Sequence, residues 1–162
     1  MEAWRSNFHG VQVRFKKTNF ILYGSVDDIW LDTKNNSLIL VDYKSQANEN
    51  KVSQETYWNG DFKTGYQRQL DFYFYLLKQQ NFKETISDDA YLLVVNARGL
   101  DEIFDKKLLF ESTLIHTKVK DENLEEEIQE MIDVFNSDKV PESNKLCKNC
   151  AYARQRSVID KL

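Results

Sequence analysis

Residues 38-LILVDYKSQ-46 decide the fold, because a strongly apolar run ends there in an acid and a base two residues apart. The apolar run predicts a buried β-strand. Side chains alternate along a strand, so Asp42 and Lys44 share one face while Tyr43 points to the other. Burying a charged pair is costly unless the pair is satisfied or used. This pair therefore marks where a functional site is to be sought.

The composition is that of a soluble globular protein. The chain has 162 residues, of which 41% are hydrophobic and 30% charged, and this suits a single domain over 1–162. The net charge of −4 excludes a strongly basic nucleic-acid coat but leaves room for local basic patches. The longest aliphatic runs are too short to cross a bilayer, and the first ten residues do not form a secretory signal. With two cysteines, these features predict a cytoplasmic protein that does not associate with membranes.

The flanking sequence predicts more strands around the decisive stretch. Residues 11-VQVRF-15 alternate in polarity, and residues 20-FILYGSVDDIWL-31 are rich in β-branched and aromatic types. Turn-forming Asn35-Asn36 then separates 20–31 from the next apolar run, which predicts a β-hairpin. Residues 45–61 are polar and are predicted to form a loop.

After this loop, the apolar spacing changes to three- and four-residue steps, which predicts a helix over 62–80. Its apolar stripe consists of Phe62, Tyr66, Leu70, Tyr73 and Leu77. Residues 90–97 and 107–119 predict two further strands, and Asp121 is the predicted N-cap of a helix over 122–135. This order of elements predicts an α/β fold with a mixed β-sheet flanked by helices.

A second acid is predicted to approach Asp42. Asp27 lies in 24-GSVDD-28, and the ends of hairpin strands lie close together. Asp27 and Asp42 can then converge on one divalent cation, with the backbone carbonyl of Tyr43 as a third oxygen ligand. Lys44 would orient a hydroxide or stabilise charge on phosphorus, which suits phosphodiester hydrolysis. The competing interpretations are a solvated Asp42–Lys44 ion pair and a turn or cap at Asp27-Asp28.

Three short motifs, 24-GSVD-27, 42-DYK-44 and 69-QLDFY-73, together resemble the PD-(D/E)XK nuclease superfamily. The resemblance is to its RecB-like branch, which also holds the CRISPR-associated adaptation nucleases. It implies a restriction-endonuclease-like core and a nuclease that hydrolyses DNA with Mg²⁺ or Mn²⁺. The catalytic residues that it implies are Asp27, Asp42, Lys44, Gln69 and Tyr73, with the first two as metal ligands.

The pair on the predicted helix also has a physical explanation. Gln69 and Tyr73 are four residues apart, so they share a helix face and can both point to the hairpin. An amide can bond a ligand carboxylate or a nucleophilic water, and a phenol can bond a phosphate. The alternative is that Tyr73 belongs to the apolar stripe.

The sequence departs from the RecB-like pattern upstream of Asp27. Many members carry a Glu or His on an upstream helix that completes the metal shell, whereas here the candidates are Glu2 and His9. A missing ligand would leave a catalytically incomplete module for DNA binding or assembly. Such a module would work with a protein partner or as a homo-oligomer.

Two further groups of residues are candidates for binding. Cys147 and Cys150 have C-x₂-C spacing, but two cysteines cannot hold a four-cysteine iron–sulfur cluster within one chain. They lie in a predicted C-terminal tail at about 141–162, where zinc binding with His9 and His116, or a redox role, is an alternative. Lys63 and Arg68 are candidates for phosphate contacts with DNA.

Overall fold

A computed structural model of the chain describes residues 3–6, 8–60, 63–98 and 109–159. The strands are β1 (Val11–Arg14), β2 (Ile21–Gly24), β3 (Asp28–Asp32), β4 (Ser37–Ala47), β5 (Thr85–Arg98) and β6 (Leu109–Lys118). The helices are a 3₁₀ turn (Ala3–Arg5), α1 (Gln54–Tyr57), α2 (Lys63–Lys78), α3 (Leu124–Phe135) and α4 (Lys148–Ile159).

The decisive stretch forms the inner strand β4 of a four-stranded sheet with the order β3-β4-β5-β6. Strand β4 runs parallel to β5, while β3–β4 and β5–β6 are antiparallel, so the predicted mixed sheet is confirmed. Leu40 and Val41 are both fully buried although they point to opposite faces, which explains why the run is continuously apolar.

The predicted hairpin is confirmed, with Asp28 opposite Val41 and Asp32 opposite Ser37. Asn36 adopts the left-handed conformation (φ 50°) that such a turn requires and that Asn tolerates. The Asp32 carboxylate accepts a hydrogen bond from the backbone of Lys34 at 2.9 Å and so closes the turn.

The prediction of one strand over 20–31 was wrong, because the segment divides between two sheets. Strand β2 pairs with β1 in a separate two-stranded sheet, and only β3 pairs with β4. At the break, the Val26 side chain is fully buried and its N–H donates to the carbonyl of Trp4 at 2.9 Å. This tertiary hydrogen bond takes the chain out of the ladder just before Asp27.

Other boundaries also differ from the predictions. Strand β4 continues to Ala47 and α1 follows within the predicted loop, while β5 begins before residue 90. Helix α3 begins at Leu124. The Asp121 side chain forms an ion pair with Lys78 at 2.7 Å instead of capping the helix. Phe62 and residues 107–108 of the predicted elements lie outside the described residues.

Helix α2 confirms the predicted helix and carries the main apolar contacts of the sheet. It contacts β1, β2, β4 and β5, and Leu70, Leu76 and Leu77 are almost fully buried. The helix therefore holds its side chains directly against the face of β4 that carries Asp42.

Gly24 is needed where α2 packs on β2. A Cβ atom there would lie 2.8 Å from both Tyr73 Cε1 and Leu76 Cδ1, whereas at Gly65 on the open part of α2 it would meet nothing within 4 Å. We expect Gly24→Ala to destabilise the protein by roughly 1–3 kcal/mol through overpacking. The matched Gly65→Ala should instead stabilise it by up to about 1 kcal/mol, because alanine favours helix. Urea unfolding of both variants checks this, and equal effects would contradict it.

The chain divides into two compact units, Met1–Leu124 and Glu125–Leu162. The first contains both sheets with α1 and α2, and the second contains α4 and all of α3 after Leu124. Helix α4 has no buried residue and lies in the predicted C-terminal tail. A single domain over 1–162 stays a prediction. None of the described helices has the length and apolar character to span a membrane.

Candidate active site

Asp27 and Asp42 meet where the β3–β4 ladder ends. The last paired residues of the ladder are Asp28 and Val41. The next N–H of β4 that points to the β3 side is that of Tyr43, and it donates to Asp27 Oδ2 at 2.8 Å. The N–H and C=O of one strand residue point to the same side, so the Tyr43 carbonyl also faces the side where Asp27 lies. Asp27 and Asp42 therefore lie close together beside the backbone of Tyr43, and their role with this carbonyl as metal ligands stays a prediction.

Asp42 is 2% exposed, which makes it the only fully buried acid among the described residues. Lys44 Nζ forms an ion pair with Asp42 Oδ2 at 2.5 Å. The Asp42 carboxylate also lies against that of Asp27, so the Lys44 ammonium faces two neighbouring carboxylates. Burial raises the pKa of Asp42 above its usual 3.8, and the Asp27 carboxylate raises it further, although Lys44 opposes both effects.

A chain of hydrogen bonds extends from Lys44 into helix α2. Lys44 Nζ donates to Gln69 Oε1 at 2.9 Å, and Gln69 Nε2 donates to the Tyr73 hydroxyl at 3.0 Å. Both ends of the Gln69 amide are therefore satisfied inside the protein, as a partly buried amide requires. Burial raises the pKa of the Tyr73 phenol, so the hydroxyl stays protonated as a hydrogen-bonding group.

The five predicted catalytic residues are thus brought together by β4, α2 and the segment before β3. Tyr73 also packs on Gly24, so it belongs both to the core and to the site. The two interpretations of Tyr73 are compatible because its ring is apolar while its hydroxyl is polar.

Asp28 supports the site from the opposite face of the sheet, which sequence reasoning did not predict. Its carboxylate accepts hydrogen bonds from the Tyr43 hydroxyl, from the backbone of Ile29 at 2.9 Å and from Trp30 Nε1 at 3.3 Å. Arg5 forms an ion pair with it at 2.5 Å. Its partial burial works against ionisation, but these partners together lower the pKa of Asp28. Asp28 thereby anchors the ring of the residue between Asp42 and Lys44.

Lys63 also lies beside the site, together with Tyr57, which the sequence analysis did not name, and Tyr66, which it placed in the apolar stripe of the helix. Its ammonium is 3.8 Å from the ring centroid of Tyr57 and 5.0 Å from that of Tyr66, while Lys44 is 4.7 Å from the Tyr66 ring. Burial and the nearby charge of Lys44 lower the pKa of Lys63. Tyr66 precedes Gln69 by three residues on α2, a spacing that could have indicated it. Arg68 is exposed on the same helix.

The other candidate ligands are not brought to the acid pair. His9 is exposed, with Nδ1 3.1 Å from Ser6 Oγ, and Glu2 lies outside the described residues. Within the ranges that the structure describes, no three His, Cys, Asp or Glu residues form a group that could hold a metal ion. His116 Nε2 instead contacts Asp89 at 2.6 Å.

The two cysteines interact with each other at the start of α4. The backbone N–H of Cys150 donates to Cys147 Sγ at 3.3 Å, and this hydrogen bond lowers the pKa of the Cys147 thiol. Both are free thiols in the structure.

The residues at the hairpin end fit a hard divalent cation. Mg²⁺ usually keeps several waters and binds through one or two carboxylates together with substrate phosphates. Asp27, Asp42 and the Tyr43 carbonyl supply such a set, and the two neighbouring carboxylates carry more negative charge than the ammonium of Lys44 neutralises, an excess that a cation would offset.

The mixed sheet, the flanking helices and the acid pair with its lysine define a restriction-endonuclease-like core. A sequence model of the PD-(D/E)XK nuclease superfamily matches residues 2–155. The chain therefore belongs to the PD-(D/E)XK nuclease superfamily, as its motifs predicted. Comparison with curated proteins and with solved structures gave no match. Assignment to the RecB-like branch stays a prediction.

Superfamily membership indicates the general chemistry of the protein. Members are generally nucleases, which hydrolyse nucleic acids and typically use divalent metals. The acid pair and Lys44 are the groups in this chain that match that chemistry.

Proposed function

We propose that this protein is a deoxyribonuclease that hydrolyses phosphodiester bonds with Mg²⁺ or Mn²⁺. The observation that supports it best is the buried Asp42 carboxylate, which lies against the carboxylate of Asp27 as well as the ammonium of Lys44. A protein keeps such a costly group when it is used. A solvated ion pair, the alternative for Asp42 and Lys44, does not agree with this burial.

Each residue has a role that follows from its contacts. Asp27 and Asp42 would hold the cation, with the carbonyl of Tyr43 beside them. A bound divalent cation lowers the pKa of water and stabilises charge on a phosphoryl oxygen. Lys44 places its ammonium at the same carboxylate, where it can bind the anionic oxygen that develops on phosphorus. Gln69 fixes that ammonium, and Tyr73 fixes Gln69.

A second candidate function is a nuclease-fold module that binds DNA or joins an assembly without cleaving. It is favoured by the absence, within the described residues, of a third acid or His at the Asp pair. Such a module would act through Lys63, Arg68 and a protein partner or a second copy. Both functions are proposed for a cytoplasmic protein.

Cleavage of labelled single- and double-stranded DNA by the full chain, with Mn²⁺, with Mg²⁺ and with excess chelator, separates the two functions. The deoxyribonuclease predicts cutting that requires metal, together with calorimetric binding of Mn²⁺. A folded protein that neither cuts DNA nor binds Mn²⁺ would support the non-catalytic module.

The raised pKa of Asp42 predicts that metal binding weakens early on acidification. Only the ionised carboxylate binds a cation, so protons compete below the pKa, and affinity should fall by about tenfold per pH unit there. Because burial places this pKa above the ordinary 3.8, the fall should begin at a higher pH than for an exposed Asp. Mn²⁺ titrations by calorimetry at several pH values measure it. An affinity that stays constant down to 3.8 would contradict the prediction.

A further inference from the structure

A pocket lies next to the acid pair on the same face of β4. Its volume is about 560 Å³, which is within the range of roughly 300–1,000 Å³ for small-ligand sites. Gln46 lines the pocket and follows Lys44 by two residues, so Asp42, Lys44 and Gln46 share one strand face. The pocket therefore begins about 7 Å along the strand from Lys44.

The lining of this pocket combines amide, ammonium and aromatic groups. They belong to Gln46, Asn48, Asn50, Lys51, Tyr57 and Lys63. Amides carry both donors and acceptors for base edges, and ammonium groups bind phosphate. In the part of the chain that the structure describes, no carboxylate lines the pocket, and although Lys51 is paired with Glu111 at 3.5 Å, Lys63 has its ammonium over the Tyr57 ring at the pocket wall.

A buried amide holds the pocket wall in place. Asn96 is 1% exposed, and its Oδ1 accepts from the Asn48 backbone at 3.0 Å and from Gln46 Nε2 at 3.4 Å. Its Nδ2 donates to the Asn48 carbonyl at 3.0 Å. The Asn48 side chain in turn accepts from the Asn50 backbone at 2.9 Å. The amides of Gln46 and Asn48 are thus positioned before any ligand arrives, which lowers the entropic cost of binding.

Lys63 connects the pocket to the acid pair. Its ammonium lines the pocket over the Tyr57 ring, and it shares the Tyr66 ring with Lys44. The ammonium groups of Lys44 and Lys63 on the Tyr66 ring place positive charge between the pocket and Asp42. A phosphate between a bound base and the cleaved bond would neutralise both.

We propose that this pocket binds one unstacked nucleotide of single-stranded DNA next to the phosphodiester that is cleaved. This inference rests on the proposed deoxyribonuclease function and adds the substrate class. In a duplex the bases are stacked and their pairing edges are occupied, so a base reaches a side pocket only when it is single-stranded or turned out of the helix.

Fluorescence polarisation with a short labelled DNA strand, its blunt duplex and a duplex with one unpaired nucleotide tests this on the full chain in chelator. We expect the single strand to bind about tenfold tighter than the duplex, and Gln46→Ala/Asn50→Ala to remove that advantage, a loss typical of base-edge hydrogen bonds.

The control is Gln79→Ala/Asn81→Ala, which changes two exposed amides outside the pocket. If the double variant unfolds, Asn50→Ala alone changes an exposed side chain and serves instead. The duplex with an unpaired nucleotide should bind as the single strand does if turned-out bases enter the pocket.

Three outcomes would contradict the proposal that this pocket binds a nucleotide. They are equal affinity for the single strand and the duplex, unchanged binding by the folded Gln46→Ala/Asn50→Ala variant, or no DNA binding at all. A failure of the proposed deoxyribonuclease function would give results that differ from these three outcomes. Selective binding without Mn²⁺-dependent cleavage supports the pocket and contradicts hydrolysis. DNA cleavage by the wild type together with unchanged DNA binding by the Gln46→Ala/Asn50→Ala variant contradicts the nucleotide-binding pocket alone.

Discussion

Replacing Asp42 by Asn is expected to reduce Mn²⁺-dependent DNA cleavage by roughly a hundredfold or more, the size typical of losing a principal electrostatic group. The substitution keeps the shape of the side chain but removes its charge, so the buried side chain can no longer bind a cation as a carboxylate does. Calorimetry should therefore show the loss of Mn²⁺ binding in the same variant. The matched control is Asp88→Asn on β5, whose side chain is 64% exposed in a surface ion pair with Lys118.

The stability of the Asp42→Asn variant shows whether cleavage is lost merely because the variant is unfolded. A folded pKa above the unfolded value means that the protonated carboxyl favours folding at low pH and that this contribution is lost as pH rises through the folded pKa. At neutral pH without metal the Asn variant should therefore be at least as stable as wild type. Cleavage and Mn²⁺ binding that persist in this variant would remove Asp42 from the site.

Replacing Lys44 by Met is expected to reduce cleavage by roughly a hundredfold while Mn²⁺ binding persists, because the lysine acts on developing charge and not as a ligand. Methionine preserves most of the buried volume of a side chain that is 17% exposed. The control is Lys34→Met in the exposed β3–β4 turn, which changes the same charge far from the acids. Cleavage rates at saturating Mn²⁺ and calorimetric titrations are compared for both variants.

The two variants thus have different expected signatures. Asp42→Asn should lose cation and cleavage together, whereas Lys44→Met should lose cleavage alone. If Lys44→Met also lost Mn²⁺ binding, Lys44 would act by keeping the Asp pair in place, and its proposed role in the reaction would be wrong. Full cleavage by Lys44→Met would favour a purely structural ion pair.

Several features were predictable because they depend on neighbours in the chain. Alternation and apolar runs indicated β4, and the Asn35-Asn36 turn indicated its hairpin. Three- and four-residue spacing indicated α2, so Gln69 and Tyr73 could be placed on one face. The order and spacing of the short motifs also indicated the superfamily, which the match over residues 2–155 confirmed.

Other features depend on contacts between distant residues, and local patterns carry no record of them. The break before Asp27 depends on the hydrogen bond from Val26 to Trp4, so 20–31 looked like one strand. Asp121 was predicted as a cap because its partner Lys78 lies 43 residues earlier in the chain. Asp28 looked like a turn residue because Tyr43 comes beside it only after the hairpin forms.

The sequence by itself determined the sheet-forming run, the helix periodicity and the set of acids and lysine, because each is an arrangement of residues close in the chain. Only the tertiary structure decided that Asp42 is buried against a second carboxylate, and that Lys44 is held by Gln69 across 25 residues. It also placed an amide-lined pocket beside them through the buried Asn96. Burial and long-range hydrogen bonds arise when α2 packs on β4 and β5 pairs with it, and these contacts set both the charge state of the acids and the shape of the site.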